Sequence, residues 1–144
     1  MNTISDLELE RAAGFRAALR RFLARTEEIA SGAGLTPQRY DLLLAVKTGP
    51  NETATITDLC GQLSLSQTAA SELVKRAEQA GLVTKSTSPA DGRVSVIGLT
   101  EDGQRRMVKT FVGLRDERRQ LYEAMSALGL SFRALLHSHE EVVR

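Results

Sequence analysis

Apolar residues recur every three or four positions near both ends of the chain, which is the spacing of one face of an α-helix. Between Leu9 and Ala33 this stripe predicts one long amphipathic helix that ends at Gly34. A similar stripe over 107–128 predicts a second long helix, which ends at Gly129, and a last helix is predicted from Ser131. The three stripes consist of Ala12, Phe15, Leu19, Phe22, Thr26, Ile29 and Ala33; of Met107, Phe111, Leu114, Arg118, Leu121, Met125 and Leu128; and of Phe132, Leu135, Leu136, His139 and Val143.

A shorter helix is predicted between the first stripe and the centre of the chain. Thr36-Pro37 offers an N-cap followed by a proline at the first helical position, and the helix should run to about Lys47. Its buried residues should be Tyr40, Leu43 and Leu44. The Gly49-Pro50 pair should stop it, 51–54 should be a loop, and Thr55-Ile56 should form a short strand.

Two closely spaced helices follow. Thr57 is predicted to cap a helix that ends at Leu63, with Leu59, Cys60 and Leu63 on its apolar face. Residues 64–66 form a turn, and Ser66 caps the second helix, which should end at Gly81 in a left-handed conformation. The inward stripe of this second helix is Ala70, Leu73, Val74 and Ala77.

The opposite face of the second helix carries no large apolar group. It consists of Gln67, Thr68, Ser71, Glu72 and Lys75, with Arg76 at its margin. A helix fits the major groove of B-form DNA, where amides and hydroxyls read base edges and basic groups pair with phosphate or guanine. The alternative is an ordinary solvated helix face.

A hairpin completes the central region. Extended runs at 82–86 and 94–99 flank residues 88–93, whose Pro, Asp and Gly are typical of a hairpin tip. Arg93 should project from the returning strand, where it could enter a minor groove; alternatively it is a surface arginine paired with Asp91. The order of elements is that of a winged helix-turn-helix, so the predicted fold is mainly α with a small β-wing, an α+β fold.

Composition and charge limit how such a protein can bind DNA. The chain has 144 residues, 42% hydrophobic and 26% charged, which fits one compact domain. Its formal net charge is only +1, so attraction to DNA must come from local cations at positions 75, 76, 85 and 93, partly offset by the acidic residues at 72, 78 and 91. We expect moderate affinity that falls steeply with salt.

The motifs in this order resemble those of MarR-family transcriptional regulators. They are Ile56-Thr57-Asp58-Leu59-Cys60, Leu63-Ser64-Leu65-Ser66, Leu73-Val74-Lys75-Arg76-Ala77-Glu78, Gly81-Leu82-Val83, Asp91-Gly92-Arg93 and Leu99-Thr100-Glu101-Asp102-Gly103. Two positions depart from the family pattern. Glu72 stands where relatives commonly have a basic or neutral residue, and Ser86 stands where many have a further arginine. A carboxylate at position 72 would weaken DNA binding unless it accepts from a cytosine amine.

The resemblance implies one MarR-like domain over 1–144, with a winged helix-turn-helix at about 36–100 and dimerisation helices at about 7–33 and 101–144. It implies a homodimer on double-stranded DNA that binds a pseudo-palindromic operator and acts as a repressor released by a small aromatic or phenolic ligand. The implied DNA-binding residues are Ser66, Gln67, Thr68, Ser71, Lys75, Arg76, Asp91 and Arg93. The residues expected to line an effector pocket are Phe15, Arg16, Phe22 and Tyr40.

Other functions remain open or are disfavoured. A winged helix that binds protein partners, with weak or no DNA binding, is the main alternative, and a monomer is the alternative to the dimer. No enzyme, cofactor or metal site is expected, because His137 and His139 do not face one site and no phosphate loop or nucleophile elbow is present. The single cysteine, Cys60, is expected to be buried as a small hydrophobe. The N-terminus has no signal-peptide pattern, so a cytoplasmic, membrane-free protein is expected.

Overall fold

A computed structural model describes residues 3–129 of the chain. This range contains six α-helices, one short 3-10 turn and one three-stranded sheet. The elements are α1 (Asp6–Gly32), α2 (Pro37–Lys47), the 3-10 turn (Pro50–Glu52), β1 (Thr53–Ala54), α3 (Ile56–Leu63), α4 (Gln67–Gln79), β2 (Val83–Thr87), β3 (Ser95–Leu99), α5 (Glu101–Gly113) and α6 (Arg115–Ala127). The predicted fold class is therefore confirmed. The helix predicted from Ser131 lies outside the described residues.

The chain divides into two compact units. Residues 27–113 form one, called here the winged unit, and the described residues 3–26 and 114–129 form the other, called the terminal unit. The winged unit contains α2 to α5 with the sheet, and the terminal unit contains most of α1 together with α6. The division of 1–144 into a winged core and dimerisation helices within one domain stays a prediction.

The core of the winged unit is built from apolar side chains of α2, α3, α4 and the sheet. Its fully buried members include Leu42, Leu43, Val46, Leu59, Val74, Leu82, Val83 and Ile97. Burying a side chain of this size is worth about 1.5–3 kcal/mol, so this cluster fixes how α4 lies against the sheet. The stripe predicted for α4 is confirmed, since Ala70, Leu73, Val74 and Ala77 are all buried.

Helix α2 begins as predicted. The Thr36 hydroxyl accepts from the backbone N–H of Arg39 at 3.1 Å, and Pro37 occupies the first turn. Its buried side is broader than the predicted stripe: Leu42 is fully buried, whereas Leu44 is only half-buried. The reason is that α2 contacts α3, α5 and the sheet, so more than one of its faces is covered.

The third strand exists, but two residues earlier than predicted. Thr53 pairs with Gly98 and Ala54 with Ile97, so the sheet has the antiparallel order β1-β3-β2. The prediction of a loop at 51–54 is wrong, because the 3-10 turn and β1 occupy it. Thr55 cannot extend the strand because it caps the next helix.

One threonine joins the sheet to α5. The Thr100 hydroxyl donates to the Gly81 carbonyl at 2.6 Å and accepts from the backbone N–H of Gly103 at 2.9 Å. The Thr100 N–H also donates to the Leu82 carbonyl at 3.0 Å. A Cβ atom at position 103 would overlap that same carbonyl oxygen. The Thr100-x-x-Gly103 part of the motif thus holds the start of α5 against the end of α4 and the start of β2.

The long C-terminal helix predicted over 107–128 is two helices. Helix α5 ends at Gly113, and α6 starts after Leu114, whose backbone (φ −90°, ψ 5°) leaves the α-helical region. The prediction of one continuous helix is therefore wrong. The apolar spacing of three and four residues continues across Leu114, so it gives no sign of the break. Gly129 does end the region with a positive φ of 74°, as predicted.

The end of α1 is fixed by glycine and by basic side chains. Gly34 has a φ of 74°, and the N–H of Leu35 returns to the Ala30 carbonyl at 2.8 Å. Arg106 and Lys109 donate to the carbonyls of Ala33 and Gly32, respectively. Cations at a helix C-terminus satisfy its unpaired carbonyls and favour its dipole, so α5 stabilises the end of α1 within the winged unit.

The start of α1 is closed by a reciprocal cap. The Ser5 hydroxyl accepts from the Glu8 N–H at 3.2 Å, and the Glu8 carboxylate accepts from the Ser5 N–H at 2.8 Å and from its hydroxyl. These hydrogen bonds, the backbone one first, hold the pKa of Glu8 below its ordinary value. In the rest of the terminal unit, Ala18 and Leu114 are buried and Arg25 pairs with Glu117 at 3.2 Å.

Candidate nucleic-acid interface

The turn between α3 and α4 sets the position of the second helix. Ser64 adopts the left-handed conformation (φ 53°, ψ 45°), and the N–H of Leu65 donates to the Cys60 carbonyl at 3.2 Å. The Ser66 hydroxyl then accepts from the N–H of Ala69 at 3.1 Å, which confirms Ser66 as the N-cap of α4. Both serines therefore supply the turn and the cap that the sequence predicts at 64–66.

The cap of α3 is Thr55, so the prediction that Thr57 caps this helix is wrong. The Thr55 hydroxyl accepts from the Asp58 N–H at 3.1 Å, and the Asp58 carboxylate accepts from the Thr55 N–H at 3.0 Å. This is a complete capping box, and its spacing of three residues from threonine to acid is visible in the sequence at Thr55 and Asp58. Thr57 instead lies exposed in the first turn of α3.

The outer face of α4 is exposed, as the sequence predicts. Exposed side chains on it are Ser66, Gln67, Thr68, Ser71, Glu72, Lys75 and Arg76. Among the described residues, the side chains of Gln67, Thr68, Ser71 and Lys75 have no hydrogen-bond or ion-pair partner. Amide, hydroxyl and ammonium groups held this way on one helix face can donate to and accept from an external polar surface.

Arg76 and Glu72 form an ion pair on this face. The Arg76 Nε lies 3.1 Å from a Glu72 carboxylate oxygen, one helical turn away. Both side chains are more than half exposed, at 66% and 51%, so the pair contributes little to stability. Its main effect is electrostatic, because Glu72 offsets the charge of Arg76 and leaves Lys75 as the cation of α4 without an ion pair in the described chain.

The hairpin of β2 and β3 carries Arg93 at its tip. Val83 to Thr87 pair in register with Leu99 to Ser95, and the ladder continues through the Ser88 N–H, which donates to the Val94 carbonyl at 2.8 Å. The Asp91 carboxylate accepts from the backbone N–H of Arg93 at 3.0 Å. Asp91 therefore shapes the tip, while the Arg93 guanidinium has no ion pair within residues 3–129.

The hairpin also carries Lys85 on an exposed position of β2. Opposite it in the ladder is Ile97, whose side chain is fully buried. The interface thus combines the outer face of α4 with the hairpin, both within the winged unit. Three of its cations, Lys75, Lys85 and Arg93, have no ion pair among the described residues.

The four residues predicted to line an effector pocket lie in two different units and differ in burial. Phe15 and Phe22 are half-buried on α1 and Arg16 is exposed, all in the terminal unit, whereas Tyr40 is buried in the winged unit at 5% exposure. The terminal unit contains a cavity of about 510 Å³ between α1 and α6. Its lining comprises Ala18, Arg21, Phe22, Ala24, Arg25, Glu117, Gln120, Leu121 and Ala124. Of the four predicted residues, Phe22 lines this cavity.

Cys60 is half-buried rather than buried, since it lies at the edge of the α3 face whose centre is the fully buried Leu59. Within residues 3–129 no group of His, Cys, Asp and Glu side chains is placed to hold a metal ion. None of the described helices has the length and apolar character needed to cross a membrane. His137 and His139 lie outside the described residues.

Comparison with known proteins gives a fold and a similarity to one family over part of the chain. The MarR family profile matches residues 33–94, which run from the end of α1 to the hairpin. None of the curated protein sequences matches the chain. Among solved structures, AbsC, a MarR family transcriptional regulator of Streptomyces coelicolor, is 20% identical with a TM-score of 0.72; the alignment covers 99% of this chain and 93% of AbsC.

Two further structures share the fold. Sco3205, a MarR family transcriptional regulator of Streptomyces coelicolor solved in complex with DNA, is 21% identical with a TM-score of 0.70, over 100% of this chain and 88% of that one. BpsR of Bordetella bronchiseptica, whose DNA binding is regulated by 6-hydroxynicotinic acid, is 19% identical with a TM-score of 0.67, over 87% and 89%. Across its helix-turn-helix and hairpin, residues 33–94, the chain is therefore similar to the MarR family, and it shares the winged-helix fold of these transcriptional regulators.

Proposed function

We propose that this regulator binds double-stranded DNA sequence-specifically as a homodimer on a pseudo-palindromic operator. Helix α4 would enter the major groove, and Arg93 would enter an adjacent minor groove from the hairpin tip. Two winged units related by a twofold axis would then meet successive major grooves about 10 base pairs apart. The proposed contacts are those of Ser66, Gln67, Thr68, Ser71, Lys75, Arg76, Asp91 and Arg93.

One observation carries the proposal. Within one compact unit, a polar helix face and a hairpin both present basic side chains that no acidic residue of the described chain neutralises. Because Lys75, Lys85 and Arg93 have no ion pair in the described chain, their charges are available to phosphate groups, which supply much of the affinity of a protein for DNA. The DNA complex of Sco3205, which shares the fold, supports the same assignment.

The terminal unit supports the homodimer. It exposes large apolar side chains, namely Ile4 (67%), Leu7 (54%), Leu9 (55%), Leu23 (53%) and Tyr122 (57%). Several exposed apolar groups along one helix favour a protein interface over solvent. A second copy of the chain is the occupant we propose, and obligate dimers of this kind bury about 2,000 Å² or more.

A small aromatic or phenolic ligand is proposed as the effector that releases a repressor from DNA. The cavity between α1 and α6 supports it, because Phe22 and Leu121 give apolar lining and Arg21 gives a cation for an acidic group. BpsR, with the same fold, responds to a hydroxylated aromatic acid. Phe15, Arg16 and Tyr40 remain proposed lining residues as well.

The test is selection of bound duplexes from a random pool by the purified protein near physiological salt. Specific binders reach about 10⁻⁸ M or tighter there, whereas nonspecific binding stays micromolar or weaker. We expect enrichment of an inverted repeat with half-sites one helical turn apart. If no sequence is enriched, with or without candidate aromatic acids, the winged unit is a protein-interaction module instead.

A further inference from the structure

The exposed face of α4 carries a carboxylate, that of Glu72, close to its centre. The buried stripe of this helix is Ala70, Leu73, Val74 and Ala77. At roughly 100° per residue, Glu72 lies within about 30° of the direction opposite that stripe, beside Thr68 and Lys75. Thr68 lies closer to that direction, and Glu72 and Lys75 flank it on either side. A carboxylate this near the centre of the face would enter a groove with them, so its charge would need a hydrogen-bond donor there.

We propose that Glu72 selects cytosine at one position of each half-site, by accepting a hydrogen bond from the cytosine N4 amino group. The inference deepens the proposed function and rests on α4 being the helix that reads DNA. It makes Glu72 a specificity-determining residue in addition to Gln67, Thr68 and Ser71.

The chemistry of the major groove favours cytosine over the other bases. Guanine offers only acceptors there, N7 and O6, and thymine offers O4 and a methyl group, so both would repel or exclude a carboxylate. Adenine has an N6 donor, but its N7 acceptor lies beside it and matches an amide better than a carboxylate. Cytosine itself presents only a donor, N4, with the guanine O6 acceptor of its pair on one side, whereas adenine N6 lies between two acceptors.

Arg76 acts as a positioning residue for this carboxylate. Its Nε holds one Glu72 oxygen at 3.1 Å, with glutamate N-terminal to arginine by four residues, the favourable order on a helix. The pair fixes the Glu72 side chain and lowers the repulsion between the carboxylate and nearby phosphates. The second carboxylate oxygen has no partner among the described residues and is available to the base.

The experiment compares the base preferences of the wild type with those of Glu72→Gln, selected from the same random duplex pool. Glutamine has nearly the same size but presents a donor and an acceptor, which suits adenine N6 and N7. We expect the cytosine preference at one position per half-site to fall by about tenfold or more and adenine to gain there. Arg76→Gln should reduce the same preference by a smaller factor.

Glu78→Gln is the matched control, because it removes the same charge from an exposed position of the same helix outside the central face. It should leave all base preferences unchanged. The inference is overturned if Glu72→Gln strengthens binding to every duplex equally and keeps the wild-type base preferences. Failure of the proposed function gives a different result, since the wild type itself would then enrich no sequence.

Discussion

At the scale of single residues, alanine substitutions at two helical glycines should change the free energy of unfolding in opposite directions. Gly103→Ala should destabilise the protein by about 1–3 kcal/mol, because the new Cβ would overlap the Leu82 carbonyl oxygen that also accepts from Thr100. At Gly61, in α3, a Cβ would meet no atom within 4 Å, so Gly61→Ala should instead stabilise the protein by about 0.5–1 kcal/mol. Urea unfolding of the two variants measures both free energies. Equal effects in the two variants would contradict the close approach at Leu82.

At the scale of the element, the cap of α3 can be tested with two neighbouring threonines. Thr55→Ala should cost about 1 kcal/mol, because it removes the acceptor for the Asp58 N–H and half of the capping box. Thr57→Ala should leave stability nearly unchanged, since Thr57 is exposed and alanine is the better helix former. The free energies of unfolding of both variants decide between the two possible caps. A larger loss of stability in Thr57→Ala than in Thr55→Ala would contradict Thr55 as the cap.

The same element shows what the sequence could and could not predict. Ser66, Gly81 and Thr36 were predictable because a cap or a left-handed turn depends on one side chain and its immediate neighbours. The choice between Thr55 and Thr57 also depends on where β1 ends, and that is set by the pairing of Ala54 with Ile97, more than forty positions along the chain. The break at Leu114 was not predictable because it leaves the apolar spacing unchanged.

For the interface, the sequence predicted which residues are exposed but not how they pair. It identified the outer face of α4 and Arg93 correctly as exposed. The Asp91–Arg93 interaction is a backbone contact rather than an ion pair, and Arg76 is held by Glu72. Both depend on rotamers and hairpin geometry, which residue types alone do not specify.

At the scale of the whole molecule, with a net charge of only +1, binding to DNA must depend on a few cations. Arg93→Ala should weaken binding across sequences and lower the slope of log K against log salt by about one, since one phosphate-associated cation is lost. Arg105→Ala removes the same charge from α5, where it pairs with Asp102, and should leave the slope unchanged. Titration of labelled duplex at several salt concentrations measures the slope of log K against log salt for each variant. An unchanged slope in Arg93→Ala would exclude Arg93 from the DNA contact.

Assembly is the other property of the whole molecule, and the exposed apolar residues of the terminal unit make it testable. Leu23→Asp should shift the protein from dimer to monomer, because a carboxylate replaces a side chain that is 53% exposed in one copy and would be desolvated between two. Val94→Asp places the same group on an apolar residue of the hairpin and should leave the dimer intact. Sedimentation at several concentrations gives the masses. A monomeric Leu23→Asp variant that still folds should also bind an inverted repeat with the affinity of a single half-site, because the gain from joining two half-sites depends on holding both winged units together. A dimeric Leu23→Asp variant would place the interface elsewhere on the chain.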